Sequence, residues 1–189
     1  MQSPFNFIVK PEDGRRYSNT KEVGGIDLII SSSEEDASAS NRRAIVVEVP
    51  VGYDGPIKKG DTLLVHHNVF KFYNDIKGHR KSGKSFFRDD LFFVDAEQFF
   101  LYKSGEKWNA HDRYCFVKPI PMKKSLLCKP GSEEPLMGTM KYPNDYLLSQ
   151  GVGCGSTVSF TPDSEYPFDI EGEKLYRIYD HQITMSDGI

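Results

Sequence analysis

Phe7-Ile8-Val9-Lys10-Pro11 returns 108 residues later as Cys115-Phe116-Val117-Lys118-Pro119, and three further blocks follow it in the same order. Ala44-Ile45-Val46-Val47-Glu48-Val49-Pro50 is answered loosely by Leu136-Met137-Gly138-Thr139-Met140-Lys141-Tyr142-Pro143. Gly60-Asp61-Thr62-Leu63-Leu64-Val65 is answered by Gly155-Ser156-Thr157-Val158-Ser159-Phe160 at an offset of 95. Leu91-Phe92-Phe93-Val94-Asp95-Ala96-Glu97-Gln98 is answered by Leu175-Tyr176-Arg177-Ile178-Tyr179-Asp180-His181-Gln182 at an offset of 84. One matched block arises easily by chance, but four in one order define an internal repeat. The shrinking offsets show that the second half lacks about 13 residues opposite 12–43 and about 11 more opposite 68–90. Two related domains are expected, 1–113 and 114–189.

Each block reads as a strand. Val and Ile dominate 44–49, and Gly60-Asp61 and Gly155-Ser156 set tight turns before Thr62 and Thr157. Asp95–Gln98 reads as a short helical turn capped by Asp95, after which Phe99–Tyr102 resumes as a strand. The chain has 189 residues with 16 Gly, 11 Pro, 13 Phe and 10 Tyr, so a few bulky apolar groups sit between many turns. That composition predicts an all-β protein of small barrels rather than long helices. The net charge of -3 supplies no global field for nucleic acid or an anionic membrane. No apolar run reaches the roughly 18 residues of a membrane span, and the first residues do not read as a signal peptide, so a cytosolic location is expected.

The order of blocks resembles the GroES-like co-chaperonin (chaperonin-10) family. The resemblance rests on Ile8-Val9-Lys10, Gly24-Gly25-Ile26-Asp27-Leu28, Ala44–Val49, Lys58-Lys59-Gly60-Asp61-Thr62-Leu63-Leu64-Val65 and Leu91-Phe92-Phe93-Val94. It covers about 5–102 well and 115–184 as a degenerate second copy, so it implies two GroES-like β-barrels in tandem. It departs from the family at Ala44, where glycine is usual, at Asp27, where an apolar residue is usual, and in the length of 68–90. The implied function is capping of an ATP-driven, GroEL-like chaperonin ring by a homo-oligomer that assists folding, with no catalytic residue, cofactor or metal. The implied docking residues are Gly24, Gly25, Ile26, Leu28, Ile29 and Ile30. The competing reading is a GroES-fold assembly or binding module, such as a viral one, that does not dock a chaperonin.

The loop chemistry is compatible with docking on its own terms. Segment 17–43 contains the acidic, small-residue run Ser31–Ser40, which favours disorder in isolation, around the apolar patch Ile26-Asp27-Leu28-Ile29-Ile30. A mobile apolar segment that orders on binding gives modest, reversible affinity, which several copies on a ring would raise. The alternative is that Ile26–Ile30 is an ordinary strand of the protein's own sheet. The second half carries Lys123–Glu134 in place of this loop and reads as architectural.

Other motifs carry less. His66-His67 should point to opposite faces of a strand and so should not chelate one ion, with His79 and His111 as remote helpers. Gly151-Val152-Gly153-Cys154-Gly155 imitates a phosphate loop, but a strand rather than a helix is expected after it, so it reads as a turn. Cys115 near His111 and Cys128 among lysines lack the surroundings of a nucleophile. Lys71, Lys77, Arg80, Lys81, Lys84 and Arg88 interleave with Phe70, Phe72, Tyr73, Phe86 and Phe87. Such a pattern suits single-stranded nucleic acid, but it equally makes a hairpin with rings inward and charges outward. The hairpin is the preferred reading; an inter-subunit contact is a third.

Overall fold

The computed structural model describes residues 2–17, 20–23, 26–29, 40–122 and 131–187. The chain divides into two compact units, Met1–Lys107 and Trp108–Ile189, rather than at 113/114. In the first, β1 (Phe7–Pro11), β2 (Thr20–Val23), β3 (Ile26–Ile29), β4 (Arg43–Glu48), β5 (Thr62–Val65) and β6 (Phe72–Asn74) come in turn. They are followed by β7 (Arg80–Ser82), β8 (Phe86–Arg88), β9 (Leu91–Val94), β10 (Phe99–Ser104) and β11 (Lys107–Ala110), in which the division falls. The second contains β12 (Tyr114–Pro121), β13 (Glu133–Tyr142), the single-turn helix α1 (Asp145–Ser149), β14 (Thr157–Phe160), β15 (Tyr166–Ile170), β16 (Glu173–Tyr179) and β17 (Ile183–Ser186). The described residues are therefore all-β apart from α1 and two 3-10 turns.

The two main sheets have one topology. The first runs β11-β10-β5-β4-β1-β9-β8 and the second β15-β16-β12-β13-β14-β17. Reading the second backwards matches β10 with β17, β5 with β14, β4 with β13, β1 with β12, β9 with β16 and β8 with β15. The agreement extends to individual residues. Val9 opposes Val46 and Ile8 opposes Glu48, with one residue bulged between; Val117 opposes Met140 and Phe116 opposes Tyr142, with the same bulge. Gly60 donates to the Val46 carbonyl and Val46 to that of Asp61, both at 2.9 Å; Gly155 donates to Met140 and Met140 to Ser156, both at 2.8 Å. Gly60 and Gly155 hold φ of 94° and 96°, a backbone region that only glycine adopts readily. Gln98 and Gln182 each accept, through Oε1, the backbone N–H three residues back, from Asp95 and Tyr179, at 3.1 Å.

The cores repeat as well. Phe7, Val9, Val46, Leu63, Val65 and Val94 are buried in the first unit. Cys115, Val117, Met140, Val158, Phe160 and Ile178 occupy the same ladder positions in the second. Alternation explains β4, where Ala44 and Val46 point inward and Ile45 and Val47 are half-buried. Phe70, Phe92 and Phe99 are fully buried beside them, each worth about 2–3 kcal/mol of transfer free energy, which compensates for the low aliphatic content.

The expected closed barrels are corrected. The hydrogen-bonded order of each sheet is open, ending at β11 and β8 in one and at β15 and β17 in the other, with no ladder joining the ends among the described residues. Closure requires strand number, tilt and stagger to agree, and edges such as the three-residue β8 offer too few backbone groups for a further ladder. Two hairpins stand outside these sheets as separate two-stranded ladders, β2-β3 and β6-β7.

Candidate functional site

The β2-β3 hairpin carries the expected docking patch. Ile26, Asp27, Leu28 and Ile29 form β3, paired with Val23, Glu22, Lys21 and Thr20 in turn. Of the expected docking residues, Ile26, Leu28 and Ile29 thus lie on one short strand. Gly24, Gly25 and Ile30 lie outside the described residues, as does nearly all of the acidic run Ser31–Ser40. The segment is a strand, as the alternative reading held, but its ladder is its own and not part of the main sheet.

The neck of this excursion is built from polar groups of the first unit. Tyr17 and Ser40 form an isolated antiparallel bridge, and Asn41 donates its backbone N–H to the Arg16 carbonyl at 2.9 Å. The Asn41 side chain ties both sides together. Its Nδ2 donates to the carbonyls of Glu12 at 2.9 Å and Arg15 at 2.8 Å, while its Oδ1 accepts from the Arg43 N–H at 2.9 Å. An ion pair of Arg43 with Glu12 at 3.5 Å adds a weaker tie.

The neck abuts the root of the insertion at 68–90. The Arg16 guanidinium lies over the rings of Phe86 and Phe92, 5.3 and 4.8 Å from their centroids, and donates to Ser82 Oγ at 3.2 Å. Burial lowers its pKa below the ordinary value. Tyr17 meets the edge of Phe72 at 5.1 Å, and the guanidinium of Arg80 covers Phe72 at 3.9 Å. Phe70 and Phe72 are buried and Phe86 and Phe87 half-buried, whereas Lys77, Arg80, Lys81, Lys84 and Arg88 are exposed and Lys71 is half-buried. The expected division of rings inward and charges outward is present, with Tyr73 as an exception at 50% exposed.

The other motifs resolve individually. His66 and His67 do not point apart, because β5 ends at Val65 and the chain turns; their rings lie 4.1 Å apart, tilted by 33°. Burial, then the neighbouring His66, lowers the His67 pKa to about 4. Among the described residues no group of three His, Cys, Asp or Glu side chains is placed to hold a metal ion. Gly151–Gly155 is followed by β14 and is a turn, as expected. The Cys115 thiol is buried and donates to the Ile178 carbonyl at 3.5 Å; burial pushes its pKa up to about 12, which keeps it protonated at neutral pH. Cys154 is exposed, and Cys128 lies outside the described residues.

One cluster was not foreseen. Asp180, 6% exposed, accepts from Asn144 Nδ2 at 3.1 Å and faces Arg113 at 3.3 Å and the His181 ring at 3.5 Å. Asn144 also caps α1 by accepting from Leu147 N–H at 2.9 Å. Asp112, Arg113, Tyr146, Asp180 and His181 line a cavity of about 450 Å³. Each polar contact of Asp180 here serves to fasten α1 and the turn at 180–182, which is a structural role. Only the Asn144-Asp145 cap signal was visible in the sequence.

No protein-family model matches this chain, and no curated protein matches it. Function must therefore be argued from the hairpins and the repeat.

Proposed function

We propose that the protein is a co-chaperonin-like factor of two GroES-like units, docking an ATP-driven chaperonin ring through the β2-β3 hairpin. The observation that carries this reading is a hairpin with a ladder separate from the main sheet, bearing Ile26, Leu28 and Ile29 on one strand. Its polar neck supports the reading too. A segment closed at its base can order on a partner without disturbing the unit that carries it, so binding is compatible with release. The shared sheet order of the two units supports a tandem architecture in which the second, with 123–130 opposite the docking segment, is architectural. Asp27 in the middle of β3 favours a rim contact with a polar group of the partner beside the apolar anchors.

Co-sedimentation of the full chain with the chaperonin of its source organism, with and without nucleotide, tests this. Nucleotide-dependent binding is expected, lost in Ile26→Asp/Leu28→Asp. Failure of the folded wild type to bind an active chaperonin sinks the reading and leaves the assembly module.

A further inference from the structure

The two units differ most in charge at one equivalent place. Between β5 and β9 the first inserts 68–90, where Lys71, Lys77, Arg80, Lys81, Lys84 and Arg88 oppose Asp75, Asp89 and Asp90, a net of +3. Between β14 and β16 the second has 161–172, where Asp163, Glu165, Asp169 and Glu171 oppose no basic residue, a net of -4. The first stretch contains the edge strand β8 and the second the edge strand β15. We infer that the basic β6-β7 hairpin of one copy docks on the acidic segment between β14 and β16 of a second copy, joining chains head to tail.

The basic hairpin is presented rigidly. Asp75 Oδ1 accepts from the N–H groups of Lys77 and His79, both at 2.9 Å, and the Asp75 carbonyl accepts from Gly78 at 2.8 Å. At its root Gly83 donates to the Lys71 carbonyl at 2.9 Å. Lys77, Arg80 and Lys81 are exposed, as are Tyr73 at 50% and Ile76 at 107%, so the tip offers apolar surface between cations. Ordering such a hairpin on a partner costs little further entropy.

On the acidic side, Lys118 and Lys141 pair with Glu173 at 2.6 and 2.9 Å, and Lys174 pairs with Glu133 at 2.7 Å. The neighbouring cations are thus spent within the sheet, and Asp163, Glu165, Asp169 and Glu171 keep an anionic excess. Asp163, Asp169 and Glu171 are exposed. Like hairpins repel like, so a symmetric contact between two basic or two acidic hairpins is disfavoured. The complementary contact joins different patches, which propagates into a closed ring or an open string. A nucleic acid is the poorer occupant, since the chain outside 68–90 carries a net charge of -6. The inference stands apart from chaperonin docking, which uses a different hairpin.

Sedimentation of the full chain across protein and salt concentration tests it. Association at low salt that weakens toward 0.5 M is expected, because exposed charges are screened. Lys77→Glu/Lys81→Glu should raise the dissociation constant at least tenfold, and so should Asp163→Asn/Glu165→Lys. Asparagine is chosen at 163 because φ there is 57°. The four changes combined should recover most of the loss, a result that misfolding would not give. A chain monomeric at every concentration in low salt overturns the inference. So does association indifferent to either pair of changes, or an effect of the lysine pair alone accompanied by retention of a single-stranded oligonucleotide.

Discussion

Gly138 should be irreplaceable where its counterpart in the first unit is alanine. The equivalent ladder positions are Ala44, opposite Pro11, and Gly138, opposite Pro119. Ala44 is fully buried and its methyl group is accommodated. A Cβ on Gly138 would stand 2.2 Å from Val117 Cγ1 and 2.7 Å from the Lys118 carbonyl oxygen. Neither neighbour yields easily: Val117 is fully buried in the core, and the carbonyl is main chain. Overpacking of this kind costs about 1–3 kcal/mol, and two contacts below 3 Å place Gly138→Ala near the upper end, about 2–3 kcal/mol. For a unit of this size each kcal/mol moves Tm by about 4–8 °C, so a fall of roughly 8–24 °C is expected. Calorimetry of the full chain reads the fall, and hydrogen exchange assigns it to Trp108–Ile189. Val117→Ala in the same chain should recover only part, because the carbonyl contact remains. The reverse change, Ala44→Gly, should cost about 1–2 kcal/mol in the first unit, from a lost buried methyl and a freer unfolded chain. A drop below about 2 °C for Gly138→Ala, or one shared equally by both units, refutes the close approach of β12 and β13.

Two further outcomes follow from the neck and the histidine pair. Asn41→Ala removes two donated hydrogen bonds and the acceptor for Arg43 N–H, so the amides of Asn41 and Arg43 should exchange at least tenfold faster while those of β9 do not. Unchanged exchange there refutes the clamp. His67 has its pKa lowered from 6.5 to about 4, so between those values the unfolded chain binds a proton that the folded chain refuses. Stability of the first unit should therefore decline as pH falls from 6.5 toward 4, and His67→Asn should flatten that limb of a Tm against pH curve. An imidazole titration midpoint near 6.5 for His67 contradicts this.

The sequence disclosed what is local or repeated. Gly60 and Gly155, each before a strand, and the paired Val-Lys-Pro triplets of β1 and β12 marked equivalent positions because backbone geometry there constrains the residue. The open sheets were not legible, since whether β8 meets β11 depends on tilt and stagger summed over several strands. The histidine pair was misread for a local reason: β5 stops at Val65, one residue before the alternation argument needed it to continue. Helix α1 is too short at Asp145–Ser149 for a helical period to register. The Asp180 cluster joins Arg113, Asn144 and His181, and only the last is a sequence neighbour. The strand over Ile26–Ile29 answers to the alternative reading of Ile26–Ile30 rather than the preferred one, and nothing in those residues told which partner strand it would choose.

The tied neck at Tyr17, Ser40 and Asn41 has an evolutionary consequence. When the two ends of a segment are fixed side by side by the host unit, lengthening it is cheap: each doubling of a flexible loop costs only about 0.6 kcal/mol of closure entropy. The stretch between Tyr17 and Ser40 can then accumulate or shed residues, and exchange one hairpin for another, while the host sheet experiences the same boundary. Natural selection can remodel the hairpin without renegotiating the fold beneath it, and a laboratory graft at the same two positions inherits that freedom.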